Sequence, residues 1–187
     1  VKDKKNNRQY TWAVNENHDL LNAIEAQILK CTMFRVYSFP QKILTSLINV
    51  HGPGEFYKEH VDNTLVYGSP QARADMSFTL FLEDSKKYSG GELMIKHPIS
   101  DIKVKLSEGE MVLYDSGLVH QVTPVTEGTR YAFVGWLQSH IPDPRMRTIL
   151  SDMDIQIGRL KDLENFPERE FDELLRIYNE LLRSYIL

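Results

Sequence analysis

The run of short β-type segments across residues 43–138 constrains this chain most. Eight segments rich in β-branched and aromatic residues can be marked there: 44–50, 55–61, 76–83, 92–96, 102–106, 111–114, 119–123 and 130–138. Turn signals separate them: Gly52-Pro53-Gly54, Gly68-Ser69-Pro70, Gly90-Gly91, Glu108-Gly109, Ser116-Gly117 and Glu127-Gly128. Eight short strands with turns at this spacing indicate a sandwich or barrel. A double-stranded β-helix, or jelly roll, is the eight-strand solution. Helical periodicity flanks the run. Leu20, Leu21, Ile24, Ile28 and Leu29 recur across residues 15–30, with Asn15 or Asn17 placed to cap. Phe171, Leu174, Leu175, Tyr178, Leu181, Leu182 and Tyr185 form a second stripe, with Pro167 suited to its first turn. The fold class is therefore mainly β with flanking helices. A core with an N-terminal helix is expected over residues 1–142, and a helical extension over 143–187, packed on or beside it.

Bulk properties exclude several functions. A length of 187 residues suits one domain and a small appendage, and a net charge of −4 with no long basic run gives no nucleic-acid footprint. No stretch approaches the ~20 apolar residues that span a bilayer, and no signal peptide is legible, so a cytoplasmic protein is expected. The chain opens on Val1 rather than Met, which reads as a removed or unordered leading segment. Cys31 is the single cysteine; it permits no internal disulfide and tolerates a reducing compartment. Lying at the end of a helical pattern, it reads as a buried or half-buried structural residue. Residues 1–9 are polar and basic, and read as a loop or frayed end.

The chemistry concentrates in four residues. In His60-Val61-Asp62, strand alternation sends His60 and Asp62 to one face and Val61 to the other. An imidazole and a carboxylate then stand side by side as metal ligands. His120 follows 58 residues after Asp62, at the start of another expected strand. Two His and one carboxylate leave three metal positions open, which is the facial triad of Fe(II) oxygenases. Arg130 lies ten residues beyond His120 on the next strand. Its planar fork matches the free carboxylate of a chelating dicarboxylic keto acid, a task for which Lys is less suited. Each feature alone is commonplace: His-x-Asp on a solvated strand, Arg in a surface ion pair. Their order and spacing on one all-β unit make the set specific. His18, His97 and His140 lack that spacing and read as exposed or capping residues. Gly90-Gly91 reads as a tight turn, because no helix follows it to bind phosphate.

Longer motifs carry a resemblance. Arg73-Ala-Asp-Met-Ser-Phe-Thr-Leu-Phe-Leu82, Tyr88-Ser-Gly-Gly-Glu-Leu93, Val104-Lys-Leu106, Val112-Leu-Tyr114 and His120-Gln-Val-Thr-Pro-Val-Thr-Glu-Gly-Thr-Arg130 resemble the PKHD-type hydroxylases, bacterial relatives of prolyl 4-hydroxylases. Asn6-Asn-Arg-Gln9, Trp136-Leu-Gln-Ser139, residues 145–154 and Asn179-Glu-Leu-Leu-Arg183 extend it over nearly the whole chain. The resemblance implies an enzyme that binds Fe(II), 2-oxoglutarate and O2, with ascorbate as an optional reductant. Such an enzyme hydroxylates a C–H bond and releases succinate and CO2. It implies His60, Asp62 and His120 as iron ligands and Arg130 as the 2-oxoglutarate anchor. Asp62 also favours hydroxylation over halogenation, which needs that ligand position vacated for halide.

Two positions depart from the wider prolyl-hydroxylase pattern Tyr-x-x-Gly-x-x-Tyr-x-x-His-x-Asp and its surroundings. Gly54, Tyr57, His60 and Asp62 match, but His51 replaces the first Tyr. His51 is expected either to hydrogen-bond 2-oxoglutarate or to sit at the pocket rim, and Tyr57 is grouped with it as a co-substrate contact. Where animal prolyl hydroxylases carry a second 2-oxoglutarate-binding Tyr, this chain has Phe81, so another donor has to assist Arg130. The substrate stays open between a peptidyl proline and a small molecule. Two other classes compete: a cupin-type metal enzyme that uses no 2-oxoglutarate, and a catalytically silent jelly-roll binding module. Arg130 tells against the first, since it has an evident task only if a dicarboxylate binds.

Overall fold

The computed structural model describes residues 4–11, 18–66 and 71–186. The candidate caps Asn15 and Asn17, the Gly68-Ser69-Pro70 turn and the side chain of His18 lie outside the described residues. The chain forms two compact units, residues 1–25 with 42–138, and residues 26–41 with 139–187.

The first unit is a jelly roll of two five-stranded sheets. One sheet runs Lys5–Asn6, Phe56–His60, His120–Val122, Leu93–Ile95, Ile102–Val104, each paired antiparallel with the next. The other runs Met111–Asp115, Met76–Phe81, Arg130–Ser139, Pro40–His51, Arg8–Thr11. Its sequence neighbours are dispersed across the sheet, as closure of a double-stranded β-helix requires. The second sheet is buried on both faces: Phe81 packs with Leu93 and Ile95 of the first sheet, while Phe78, Phe133 and Leu137 alternate to the opposite face, and all six are under 4% exposed. Alternation of such residues with polar ones fixes each strand's register, because a one-residue slip would exchange the two faces.

All eight expected strands are present, with ends shifted by a few residues. The N-terminal segment is a correction. Residues 5–6 and 8–11 are not a loop: Lys5 pairs with Tyr57 in one sheet, and Arg8 pairs with Val50 in the other. Local composition gives no hint of this, since the partners lie 36 to 52 residues away and supply the backbone hydrogen bonds. Asn49 Oδ1 reinforces the junction by accepting from Asn7 Nδ2 at 3.1 Å and Gln9 Nε2 at 2.9 Å.

Two short ribbons were also not anticipated, Leu65–Val66 with Ala72–Arg73 and Ser89–Gly90 with Val125–Glu127. Gly90 and Gly91 have φ of 73° and 66°, and a Cβ on Gly90 would lie 2.1 Å from the Pro124 carbonyl oxygen. Only glycine permits that approach, but the expected tight turn is a correction: the chain is not reversed there, since Ser89–Gly90 pairs with Val125–Glu127 and Leu93–Ile95 runs on along His120–Val122.

The second unit is helical: part of α1 (His18–Lys30), then α2 (Thr32–Ser38), α3 (Pro144–Lys161) and α4 (Glu168–Tyr185). α3 starts where Asp143 accepts from Arg145 N and Met146 N, with Pro144 in the first turn. α4 begins just after Pro167 and turns Phe171, Tyr178, Leu181 and Leu182 towards Ile141, Leu150 and Ile157. Cys31 is exposed, contrary to the expectation of a buried thiol. It occupies the N-cap position between α1 and α2, a break the helical periodicity did not reveal. His97 is exposed and His140 is partly buried. No helix among the described residues is long and apolar enough to cross a membrane.

Candidate metal and co-substrate site

His60 ends one strand and His120 begins its neighbour, and the antiparallel register places them directly opposite each other. Their rings approach to 4.3 Å between centroids. The Nδ1 of each contacts a carbonyl two residues back, Lys58 O at 2.8 Å for His60 and Leu118 O at 2.9 Å for His120. A carbonyl can only accept, so each Nδ1 carries the proton. Each Nε2 is therefore left with a free lone pair, the tautomer a metal ligand needs.

Asp62 lies two residues past the end of the Phe56–His60 strand, not on it as expected. It still converges with the histidines. Its Oδ1 is 3.7 Å from His60 Nε2 and its Oδ2 is 3.6 Å from His120 Nε2. One ligand atom from each of the three residues falls within 4.8 Å of the others, and no other such group occurs among the described residues. Adjacent ligands of an octahedral ion with bonds of about 2.1 Å stand about 3 Å apart, so the trio fits a divalent ion with a small contraction.

A hydroxyl chain holds the carboxylate in place. Ser77 Oγ donates to Asp62 Oδ2 at 2.7 Å and lies 2.9 Å from Ser116 Oγ. Since Ser77 has spent its one hydrogen on Asp62, Ser116 is the donor of the second bond. Both serines are buried.

A cavity of about 170 Å³ opens beside the trio and is lined also by Tyr57, Tyr114, Trp136 and Arg130. Tyr57 stacks on His60 with 3.6 Å between centroids. Tyr114 meets the His120 ring edge-on at 5.2 Å, and burial, with Asp62 nearby, pushes its phenol well above the ordinary tyrosine range. A second cavity of about 490 Å³ shares Tyr57, His60, Asp62 and Trp136 and adds Val61, Leu65 and Val66.

Arg130 follows the Gly128 turn, where φ is 72°. It is 1% exposed, and neither its Nε nor its Nη1 has a hydrogen-bond partner. Burial lowers its pKa from the ordinary guanidinium value while Tyr88 and Tyr114 oppose that shift. Its Cζ sits 5.2 Å over the Phe81 ring. A buried guanidinium with two nitrogens lacking partners among the described residues is costly, so the site is suited to receive an anion.

His51 does not line the cavity, nor does it sit at a rim: it is fully buried with both ring nitrogens unpartnered. Burial, then the charge of Arg130, pulls its pKa from 6.5 to about 3. The unfolded chain therefore protonates His51 below pH 6.5 while the folded protein resists to about 3. Folding stability from this group is full above that window and falls as pH falls, by up to about 1.4 kcal/mol per unit. In metal-free protein, His51→Gln should flatten the loss of denaturant stability between pH 7 and pH 5; an unaltered slope would exonerate His51.

Against known proteins, a family model described as the 2OG-Fe(II) oxygenase superfamily matches residues 46–138. A PKHD-type hydroxylase of Synechococcus elongatus is 36% identical over 182 residues, covering 97% of this chain and 81% of the relative. The chain belongs to the PKHD-type hydroxylases. One from Saccharophagus degradans is 41% identical over 157 residues, covering 82% of this chain and 69% of that protein. Among solved structures, the viral collagen prolyl hydroxylase of Paramecium bursaria Chlorella virus-1, a 2OG complex, superposes with a TM-score of 0.55. It shares 16% identity, and the match covers 73% of this chain and 80% of that one.

As a PKHD-type hydroxylase the protein is a non-haem Fe(II)- and 2-oxoglutarate-dependent dioxygenase, which decides against the cupin-type and silent-module alternatives. Iron, 2-oxoglutarate and O2 come with that family. Of the residues singled out in the sequence, His60, Asp62, His120, Tyr57 and Arg130 gather on one cavity and His51 lies buried apart from its wall. Sequence reasoning missed Ser77, Ser116, Tyr114 and Tyr88. Ser77 carried a faint signal as a small polar residue inside an apolar strand, and Tyr88 lies in a motif valued only for its glycines.

Proposed function

We propose that His60, Asp62 and His120 hold Fe(II) and that Arg130 pairs with the distal carboxylate of 2-oxoglutarate. Tyr57 is proposed as a further co-substrate contact, whereas His51, buried behind the cavity wall, is not, and a substrate C–H group is received in the larger cavity. The observation that carries this reading is the buried, unpartnered Arg130 lining the same cavity as three preoriented ligand atoms. Bound iron, with 2-oxoglutarate and O2, supplies the oxidising power that hydroxylates the substrate while succinate and CO2 leave. The chain itself orients and shields. Lys58 O and Leu118 O fix the imidazole tautomers, Ser77 steers the carboxylate, and Arg130 with Phe81 excludes water from the deep end.

The larger cavity bears on the substrate. Among its described lining residues only His60 and Asp62, the proposed ligands, ionise near neutrality, while Trp136, Val61, Leu65 and Val66 present apolar surface. An uncharged, compact group fits such walls, whether a peptidyl proline or a neutral small molecule. The setting is proposed to be cytoplasmic, with ascorbate as reductant. A succinate-release assay with Fe(II), with and without ascorbate, over a panel of proline-containing peptides and neutral metabolites tests the reading. Substrate-stimulated succinate from a member of that panel is expected; stimulation confined to charged compounds would overturn the assignment of the cavity.

A further inference from the structure

Resting on the reading of Arg130 just given, we propose that Tyr88 donates its hydroxyl hydrogen to the same distal carboxylate, in place of the hydroxyl that Phe81 lacks.

Tyr88 is 4% exposed, and its Oη lies close to Arg130 but makes no hydrogen bond of good geometry with it or with any other described residue. A buried phenol without a partner is costly, and native structures seldom keep one without a use. The described buried side-chain atoms in that condition are confined to His51, Tyr88 and Arg130, and charge coupling places both of the others beside Arg130. Two orphaned side chains beside a cation with two unpartnered nitrogens make a socket for a desolvated anion. A carboxylate offers it about four lone-pair sites. Arg130 neutralises the charge, and a hydroxyl donor completes the shell.

The local chain brings Tyr88 there. A Cβ on Gly91 would stand 3.1 Å from Arg130 Cδ and 3.2 Å from Tyr88 Cε2, so the two side chains meet across a glycine that leaves them room. Lys105 then pins the ring. Its Nζ donates to Tyr88 O at 2.7 Å and lies 4.2 Å from the ring centroid, so the phenol loses little freedom when the ligand arrives. Burial raises the Tyr88 pKa above its ordinary value, which keeps the hydroxyl a donor at neutral pH. Across from it, Phe81 presents only a ring face to Arg130.

The test is anaerobic titration of the Fe(II)-loaded protein, following the metal-to-ligand absorption band. The probes are 2-oxoglutarate and 2-oxobutyrate, a keto acid without the distal carboxylate. Tyr88→Phe should weaken 2-oxoglutarate about tenfold to a hundredfold, as loss of a hydrogen bond to a charged group does, and leave 2-oxobutyrate unchanged. Tyr88→Phe/Phe81→Tyr, which returns a hydroxyl from the facing strand, should recover part of the loss, which a purely structural role for Tyr88 would not produce. Equal 2-oxoglutarate affinity in wild type and Tyr88→Phe, or equal weakening of both keto acids with no recovery in the double variant, overturns the assignment. Failure of the wild type to discriminate between the two keto acids would instead bring down the reading of Arg130.

Discussion

Arg130→Ala is expected to weaken 2-oxoglutarate binding by about a hundredfold or more while metal occupancy stays near that of wild type. Arg130 is 1% exposed, and its Nε and Nη1 have no hydrogen-bond partner among the described residues. Removing one partner of a buried charge pair costs roughly 3–5 kcal/mol, because the remaining charge is left desolvated. Arg130→Lys should restore only part of the affinity, since an ammonium cannot reproduce the two-pronged geometry. A 2-oxoglutarate titration of the three proteins, with iron measured separately, gives the answer. Unchanged affinity in Arg130→Ala would remove this residue from the co-substrate site.

His60→Ala and His120→Ala should each abolish stoichiometric Fe(II) binding and with it 2-oxoglutarate-dependent turnover. Even the loss of a partner behind a ligand typically costs tenfold to a hundredfold in affinity; loss of a ligand from a three-residue site removes more. Elemental analysis after dialysis against a chelator is the check, with a matched variant at the exposed His97 as control. Full iron occupancy in both variants would sink the triad. Asp62→Ala should likewise lose hydroxylation, and retention of wild-type turnover would mean that the carboxylate is not a ligand.

How legible the site was in the sequence differs residue by residue. His60 and His120 were legible because strand alternation and spacing bear on them directly. Asp62 was found for a reason that proved incomplete, since it stands beyond the strand end and owes its position to Ser77 rather than to the pleat. Tyr114 and Ser116, on and just after the Met111–Asp115 strand, and Tyr88 come from two further segments, and only the three-dimensional closure of the jelly roll brings them in. In the fold, the eight core strands announce themselves through local composition. The two-residue ribbons and the N-terminal strands do not, because their order is borrowed from partners far along the chain. The break at Cys31 was hidden by helical residues on both sides, and α3 carried a legible start in Asp143-Pro144 that the longer stripe of α4 overshadowed.

The segment from Lys5 to Thr11 serves as the outermost strand of both sheets. It thus acts as a clasp across the open side of the jelly roll, and its loss would do more than shorten the chain. The Phe56–His60 strand and the long Pro40–His51 strand would both become raw edges, with bare N–H and C=O rows available to another molecule. A fragment engineered to begin after Thr11 would therefore be prone to self-association through these edges.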